Sequence, residues 1–363
     1  MNILIIGNGF DLAHNLPTKY TDFLKFISVV ENVFARMSDP FGVEGIDKNI
    51  LEIIKADMGD KRNNLWANEK IWKNLYENNY WLNLFYKNSF KENWIDFEAI
   101  ISAEVQGILG KYFSDTAHDE GMLPRDIELS VSEYLSKKGI AHTRVKHYKL
   151  SDFDNCLYDD LKKLVYALEL YLTKYISQIP VCNKLKCLDQ ISVDKILSFN
   201  YTDTYERVYD TGKMGEYCYI HGKADSSHNE HNSNIILGID EFLNEQEQGE
   251  ILDFVRFKKF YQRIWKATDS SYLDWSKEMD SNNDAIHELY IIGHSLDFTD
   301  RDVLRELILH DNVKTHIFYY KKDEYDFEDL QNKTANLIKV IGERELIRRT
   351  GGKDKRIVFE LLE

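Results

Sequence analysis

Residues 3–6, Ile-Leu-Ile-Ile, form an apolar run that stops at Gly7, Asn8 and Gly9 and gives way to a helix-like stretch. A strand that runs into glycines and then a helix usually holds a phosphate. Beyond it, Tyr20, Phe23, Leu24, Ile27, Val30 and Phe34 recur at helical spacing, with Thr18 or Thr21 able to cap the start. Residues 39–64 are polar and glycine-containing, and read as loops around the short apolar piece ILEIIKADM. From 65 to 118 aromatic residues dominate. Trp66, Trp72, Leu75, Tyr76 and Asn79 lie three or four apart, as do Ile100, Ile101, Glu104, Val105 and Ile108, which predicts two or three packed helices. A longer amphipathic helix is predicted over 153–179. The pattern therefore predicts a helical block over 35–190, inserted into a core made of residues 1–34 and 191–363.

The second half changes character. Short apolar runs recur in KILSFNYTD, YCYIHGK, NIILGID, LYIIGHSLDFTD and THIFYY, the helix RDVLRELILHD precedes the last of these, and IVFELL follows a basic loop, RRTGGKDKR. Strands separated by helices predict an α/β fold with a Rossmann-like, mostly parallel sheet. In such sheets ligands bind at the carboxyl ends of the strands. Four predicted strands end at Gly7-Asn8-Gly9, Asn200, His221-Gly222 and Gly293-His294-Ser295, so one sheet would gather these residues at one crevice.

Composition narrows the function. A net charge of −15 over 363 residues disfavours non-specific binding to nucleic acid, because an acidic protein repels phosphate. No apolar run of about eighteen residues is present, which argues against a membrane span. The opening ILII has no basic flank and no small-residue cleavage site, and reads as a core strand instead of a signal peptide. Cys156, Cys182, Cys187 and Cys218 show no C-x-x-C spacing, which indicates neither a zinc ribbon nor a disulfide framework and fits reduced thiols in the cytoplasm.

Individual positions carry candidate chemistry. The opening loop departs from G-x-G-x-x-G, since Leu12 stands at the third glycine; this predicts a looser turn and a later helix start, and a plain strand-to-helix turn is the competing reading. Asp11 would face a ribose hydroxyl or a positively charged ring. Asn200 has both a donor and an acceptor for a water or a sugar hydroxyl, or it caps a turn. Asp203 and Glu206 supply charge or open a helix. His221, at a strand end and followed by glycine, is placed for proton transfer near neutral pH. With His228 and His231 it lies in a serine- and asparagine-rich stretch, and no metal site is expected there. The basic, aromatic segment VRFKKFYQRIWK at 255–266 would touch nucleic acid or form a solvated helix face.

Taken together, LIIGNGFDLAHNLPTKYTDFL, NWIDFE, SFNYTDTYE, YIHG and IIGHSLDFTD resemble the AbiH family of bacterial abortive-infection proteins across nearly the whole chain. The order Gly-x-Gly, Asn-Tyr, His-Gly, Gly-x-Ser is also similar to that of sirtuin-like domains. That likeness implies a Rossmann-type sheet that binds NAD and, in many phage-defence members, hydrolyses it to nicotinamide and ADP-ribose. By this resemblance Gly7 and Gly9, with Asn8 and Asp11 beside them, match the first NAD-binding loop. Asn200 matches the asparagine that positions ribose and water, and His221 the catalytic histidine. Gly293, His294 and Ser295 match the late loop near the adenosine ribose. Sirtuin-like domains usually read Asn-x-Asp where this chain reads Asn200-Tyr201-Thr202, with Asp203 one place later. The absence of a four-cysteine zinc module argues against protein deacylation.

Three functions follow from this reading. One is an NAD-consuming enzyme that uses Asn200, His221 and Asp203 or Asp11, with Glu98 in reserve. The second is a nucleotide-binding sensor without turnover, and the third a nucleic-acid-directed toxin. An enzyme of this kind must be silent before infection, so the helical block would regulate it or make it oligomerise, and a phage-derived trigger would release it.

Overall fold

The computed structural model describes residues 1–59, 68–89, 96–115, 119, 121–140, 147–212, 214–239, 254–281 and 285–362. The chain begins with β1 (Asn2–Ile6) and α1 (Asn8–Ala13), then runs through helices α2 (Tyr20–Phe34), α3 (Lys48–Gly59), α4 (Glu69–Tyr76), α5 (Tyr80–Ser89), α6 (Phe97–Ser114), α7 (Arg125–Lys137) and α8 (Leu150–Lys174). Then follow β2 (Lys195–Ser198), α9 (Thr204–Val208), β3 (Glu216–Tyr219), α10 (Lys259–Lys266), α11 (Tyr272–Ser281) and β4 (His287–Ile292). The chain closes with α12 (Arg301–Ile308), β5 (Val313–Tyr319), α13 (Glu328–Ile341), α14 (Glu343–Thr350) and β6 (Ile357–Leu361).

The six strands form one parallel sheet in the order β3-β2-β1-β4-β5-β6, that of dinucleotide-binding Rossmann folds. β1 is central and pairs with both β2 and β4. Its unbroken apolar run fits a strand buried on both faces. Ile3 and Ile5 point to one face, with Leu197, Leu289, Ile291 and Ile317, under Trp275 of α11, Leu304 and Leu307 of α12 and Leu337 of α13. Leu4 and Ile6 point to the other, with Ile196, Ile292 and Phe318, where Phe10 of α1 and Tyr205 of α9 pack.

Two compact units result: one of residues 1–18, 179–224 and 268–363 that holds the sheet, and one of residues 19–178 and 225–267. These limits differ from the expected 34/35 and 190/191 boundaries. α2 belongs with the helices because its buried Phe23 and Phe26 rings lie 5.7 and 4.8 Å from that of Tyr171 in α8. Residues 225–267 join them through α8 as well: Glu169 meets His228 Nδ1 at 2.7 Å and Asp154 pairs with Arg256. Within the helical unit the buried Asp160 of α8 accepts from the Tyr80 N–H, the Tyr134 hydroxyl and the Lys138 ammonium at 2.9, 2.9 and 2.5 Å.

Several local expectations are corrected. ILEIIKADM, the apolar piece between the expected loops, is helical and lies in α3. α2 starts after Lys19, whose N–H donates to Asp22 Oδ2, while Thr18 donates its hydroxyl to Asn8 Oδ1. NIILGID forms no strand over its described residues 234–239; only Ile239 makes a single bridge, to Lys258. Trp66 lies outside the described residues, and Asn79 precedes α5, where its Oδ1 accepts from the N–H groups of Trp81 and Leu82. Among the described residues no helix is long and apolar enough to cross a membrane.

Candidate functional site

The adjacent strands β3, β2, β1 and β4 bring the four predicted strand ends to one edge of the sheet, flanking the point between β1 and β4 where the strand order reverses. Each strand end contributes differently.

The glycine turns at β1 and β4 interlock. Gly7 N–H donates to Ile292 O at 3.2 Å, and Gly9 N–H to Gly293 O at 2.8 Å. A Cβ on Gly293 would lie 2.0 Å from Phe10 N and 2.4 Å from Gly9 C, and one on Gly7 would lie 2.7 Å from His294 Cα. Only glycine permits this backbone-on-backbone approach, and Gly293 also has φ +71°. α1 consequently begins at Asn8, directly after Gly7, and not later as Leu12 suggested. The close packing expected of a third glycine comes from Gly7 and Gly9 meeting the β4 turn. In this arrangement two N–H groups expected to cradle phosphate serve protein carbonyls.

Asp11, on α1, is almost fully buried and accepts from the Thr202 hydroxyl through Oδ2 at 2.6 Å; the Thr204 hydroxyl donates in turn to Thr202 at 3.2 Å. Its Oδ1 is buried with no hydrogen-bond partner. Burial raises its pKa from 3.8 to about 6, against the lowering effects of the Thr202 and Thr204 hydroxyls and the charge of Arg207. Thr202 thus spends its hydroxyl on the carboxylate of Asp11. Asn200, straight after β2 and Phe199, is buried, its backbone N–H donating to Ser198 Oγ at 3.2 Å. Its side-chain Nδ2 is also buried without a partner. Asp203, half-buried, precedes α9 without capping it through its side chain.

His221, after β3, is buried, and its Nε2 lies 3.3 Å from Asp300 Oδ1. Asp300 Oδ2 in turn lies 3.5 Å from Nε2 of the buried His294. The Phe199 ring touches both imidazoles, at centroid distances of 5.4 and 4.3 Å. His294 Nδ1 receives the Leu296 N–H at 2.9 Å, and its backbone carbonyl accepts from Lys333 Nζ at 3.0 Å.

Other expected residues stand apart. Asn8 and Ser295 are exposed. Glu98 lies in the helical unit and pairs with Lys259 Nζ at 2.8 Å. His228 is tied to Glu169, and His231 is an exposed neighbour of Glu230. Among the described residues no group of three His, Cys, Asp or Glu side chains is arranged to hold a metal ion. The 255–266 segment is not a solvated basic face: Lys258 and Lys259 are buried, and Phe260, Ile264 and Trp265 are exposed.

Sequence reading missed Asp300. It precedes α12, and Asp297 three residues earlier caps a turn by accepting from Thr299 N–H; both resemble ordinary helix caps in the sequence. Asp300 makes no side-chain cap, and its carboxylate faces the imidazoles instead.

No curated protein and no solved structure matches the chain. The family described as bacteriophage abortive infection AbiH matches residues 3–320. A match over most of the chain, on a sheet whose strand ends carry the residues that suggested it, makes this chain a member of the AbiH family of bacteriophage abortive-infection proteins.

Proposed function

We propose that the protein hydrolyses NAD to nicotinamide and ADP-ribose and so depletes the infected cell's pool. The observation that carries this reading is the pair of orphaned buried atoms, Asp11 Oδ1 and Asn200 Nδ2, after adjacent strands at the ligand-binding edge of a dinucleotide-type sheet. Buried polar atoms are rarely left without partners, and a bound ligand is one reason to leave them so. In the reaction the C1′–nitrogen bond breaks and nicotinamide leaves neutral with the bonding electron pair. A water oxygen bonds to C1′ and gives up a proton. Positive charge accumulates on the sugar, and a buried carboxylate stabilises it more than an exposed one does. Asp11 supplies that carboxylate above its pKa of about 6. Asn200 Nδ2 donates to a ribose hydroxyl or the attacking water, and His221 takes the proton. Asp203 adds negative charge beside α9.

A specific observation favours the sensor reading: Thr202, at the place where sirtuin-like domains carry an aspartate, spends its hydroxyl on Asp11. A nucleotide held without turnover fits that arrangement too. The nucleic-acid reading is weakened by the burial of Lys258 and Lys259.

The test is nicotinamide release from NAD by the purified protein and, because an uninduced defence enzyme is silent, NAD levels in infected cells. Release or depletion abolished by His221→Ala and by Asn200→Ala, with melting transitions kept, is the expected result. NAD that raises the melting temperature while no nicotinamide appears in either setting supports the sensor. A culture that arrests with its NAD level intact sinks the hydrolase.

A further inference from the structure

We propose that Thr202 is a positioning residue: its hydroxyl holds Asp11 by Oδ2 and leaves Oδ1 as the one carboxylate oxygen on offer to a ligand. The role in turnover rests on the hydrolase reading; the hold on Asp11 does not.

The direction of the bonds follows from where the protons are. An ionised carboxylate only accepts, so the 2.6 Å bond to Oδ2 takes the single hydroxyl proton of Thr202. Thr202 then has lone pairs alone, and the 3.2 Å bond between the two threonines is donated by Thr204. Thr204, Thr202 and Asp11 thus form a one-way chain in which each bond polarises the next. At 2.6 Å the last bond has the length of a charge-assisted one.

A carboxylate swivels freely about its last torsion, and its two oxygens are alike until one is held. Here the holder is itself fixed. Threonine is stiff at χ1, and Thr204 behind it is buried at the start of α9. Tyr205 of α9 and Tyr209 just after it bring their rings to 6.2 and 5.9 Å from that of Phe10, the residue before Asp11. His14 Nε2, after α1, meets the Tyr209 hydroxyl at 2.7 Å. α1 and the turn between β2 and α9 are therefore packed as one piece. Asp203 makes no side-chain cap on α9, and the Thr202 hydroxyl crosses to α1. Oδ1 of Asp11 remains buried without a partner, as does Nδ2 of Asn200 after the adjacent strand.

The chain also governs charge. Burial raises the pKa of Asp11 to about 6; the Thr202 and Thr204 hydroxyls and the Arg207 charge hold it down, while Asp203 adds to the rise. With Oδ2 engaged, a proton taken up by Asp11 goes to Oδ1, so the same atom accepts above that pKa and donates below it.

The test is carbon-13 NMR of protein labelled at the aspartate carboxyls, titrated from pH 4 to 9, with the Asp11 signal assigned by its loss in Asp11→Asn. The wild type is expected to titrate at about pH 6, Thr202→Val about one pH unit higher, and Thr202→Ser with the wild type. Positioning is read at pH 8.5, where Asp11 is ionised in all three proteins. There NAD should raise the melting temperature of Thr202→Val less than that of wild type or Thr202→Ser. Nicotinamide release, where the wild type shows it, should fall about tenfold or more in kcat. A Thr202→Val midpoint equal to that of wild type overturns the proposal, and so does a Thr202→Val protein that NAD stabilises fully at pH 8.5. Should Thr202→Val not fold, Thr204→Val, which removes only the donor behind Thr202, is expected to raise the midpoint by a smaller step, and an unmoved midpoint overturns the chain. A midpoint that moves as expected while NAD neither stabilises the wild type nor is cleaved supports the hold on Asp11 and removes only the NAD reading.

Discussion

Asp11→Asn gives the most direct test of the site's electrostatics. The folded pKa of Asp11 is raised from 3.8 to about 6, chiefly by burial. An acid whose pKa rises on folding binds its proton more tightly in the folded state. Its contribution to stability is full below pH 3.8 and is lost as the pH passes through about 6. Roughly two pKa units at ~1.4 kcal/mol each make the ionised carboxylate cost the fold about 3 kcal/mol at pH 7.5. Asparagine keeps an oxygen to accept from Thr202 and carries no charge. Its amide finds no acceptor where Oδ1 was, a loss of about 1 kcal/mol at every pH. The variant should therefore be about 2 kcal/mol more stable than wild type at pH 7.5, or roughly 4–8 °C in the transition of the sheet-bearing unit. Near pH 4 it should be slightly less stable, with the crossing at about pH 4.5–5. Differential scanning fluorimetry of both proteins from pH 4 to 8 reads the difference, which cancels the titration of every other group. A difference that does not change with pH, or a variant less stable at pH 7.5, refutes the buried-charge reasoning. On the hydrolase reading the same variant also loses the stabilisation that NAD gives the wild type, since it no longer answers the cationic ring.

Two further substitutions probe the fold around the site. Gly293→Ala places a Cβ 2.0 Å from Phe10 N and 2.4 Å from Gly9 C at a φ of +71°, against the backbone of the β1 turn. Overpacking and left-handed strain together should cost at least ~2 kcal/mol, and a melting temperature within about 1 °C of wild type would dismiss the interlock. Lys259→Ala takes the ammonium from Glu98, 2.8 Å away, and should destabilise the helical unit by about 3 kcal/mol in denaturant unfolding. Nucleic-acid mobility shift should be the same for this variant and wild type; a stable variant that loses such binding would reinstate the toxin.

The sheet was legible because strands declare themselves in short runs. Ile3 to Ile6 are apolar without alternation, as a strand with both faces covered must be, and every neighbour of β1 ends in a polar or glycine signature. Less legible was where a helix or apolar run packs. α2 and NIILGID are as apolar as elements of the sheet-bearing unit, but their partners lie on α8 or on the chain before α10, and periodicity names a buried face without naming what buries it. α10 is the extreme case. Its spacing separates Lys259 and Gln262 from Phe260, Ile264 and Trp265, and ordinary amphipathic logic puts the lysine outside. Glu98 and the Leu237 carbonyl offer partners to Lys259 and Gln262 respectively, so the polar side turns in. Those partners lie over twenty residues away along the chain.

The glycines teach a related point about the site. A Gly-x-Gly turn is read as a phosphate cradle because a missing side chain lets a ligand approach the backbone. Physically it lets anything approach, and here the β4 turn does. The amides of Gly7 and Gly9 are consumed, whereas the side chains of Asp11 and Asn200 each retain an unspent buried atom. A ligand that matches what is unspent offers a donor or positive charge to a carboxylate and an acceptor to an amide. The ring and ribose of the nicotinamide half carry both, and a pyrophosphate carries acceptors alone. On the proposed reading, then, recognition is weighted towards the end of the dinucleotide where the bond breaks. Nicotinamide mononucleotide, which lacks the adenosine half, should raise the melting temperature of the wild type more than adenosine diphosphate does. The reverse order would put the binding energy back at the glycine turn.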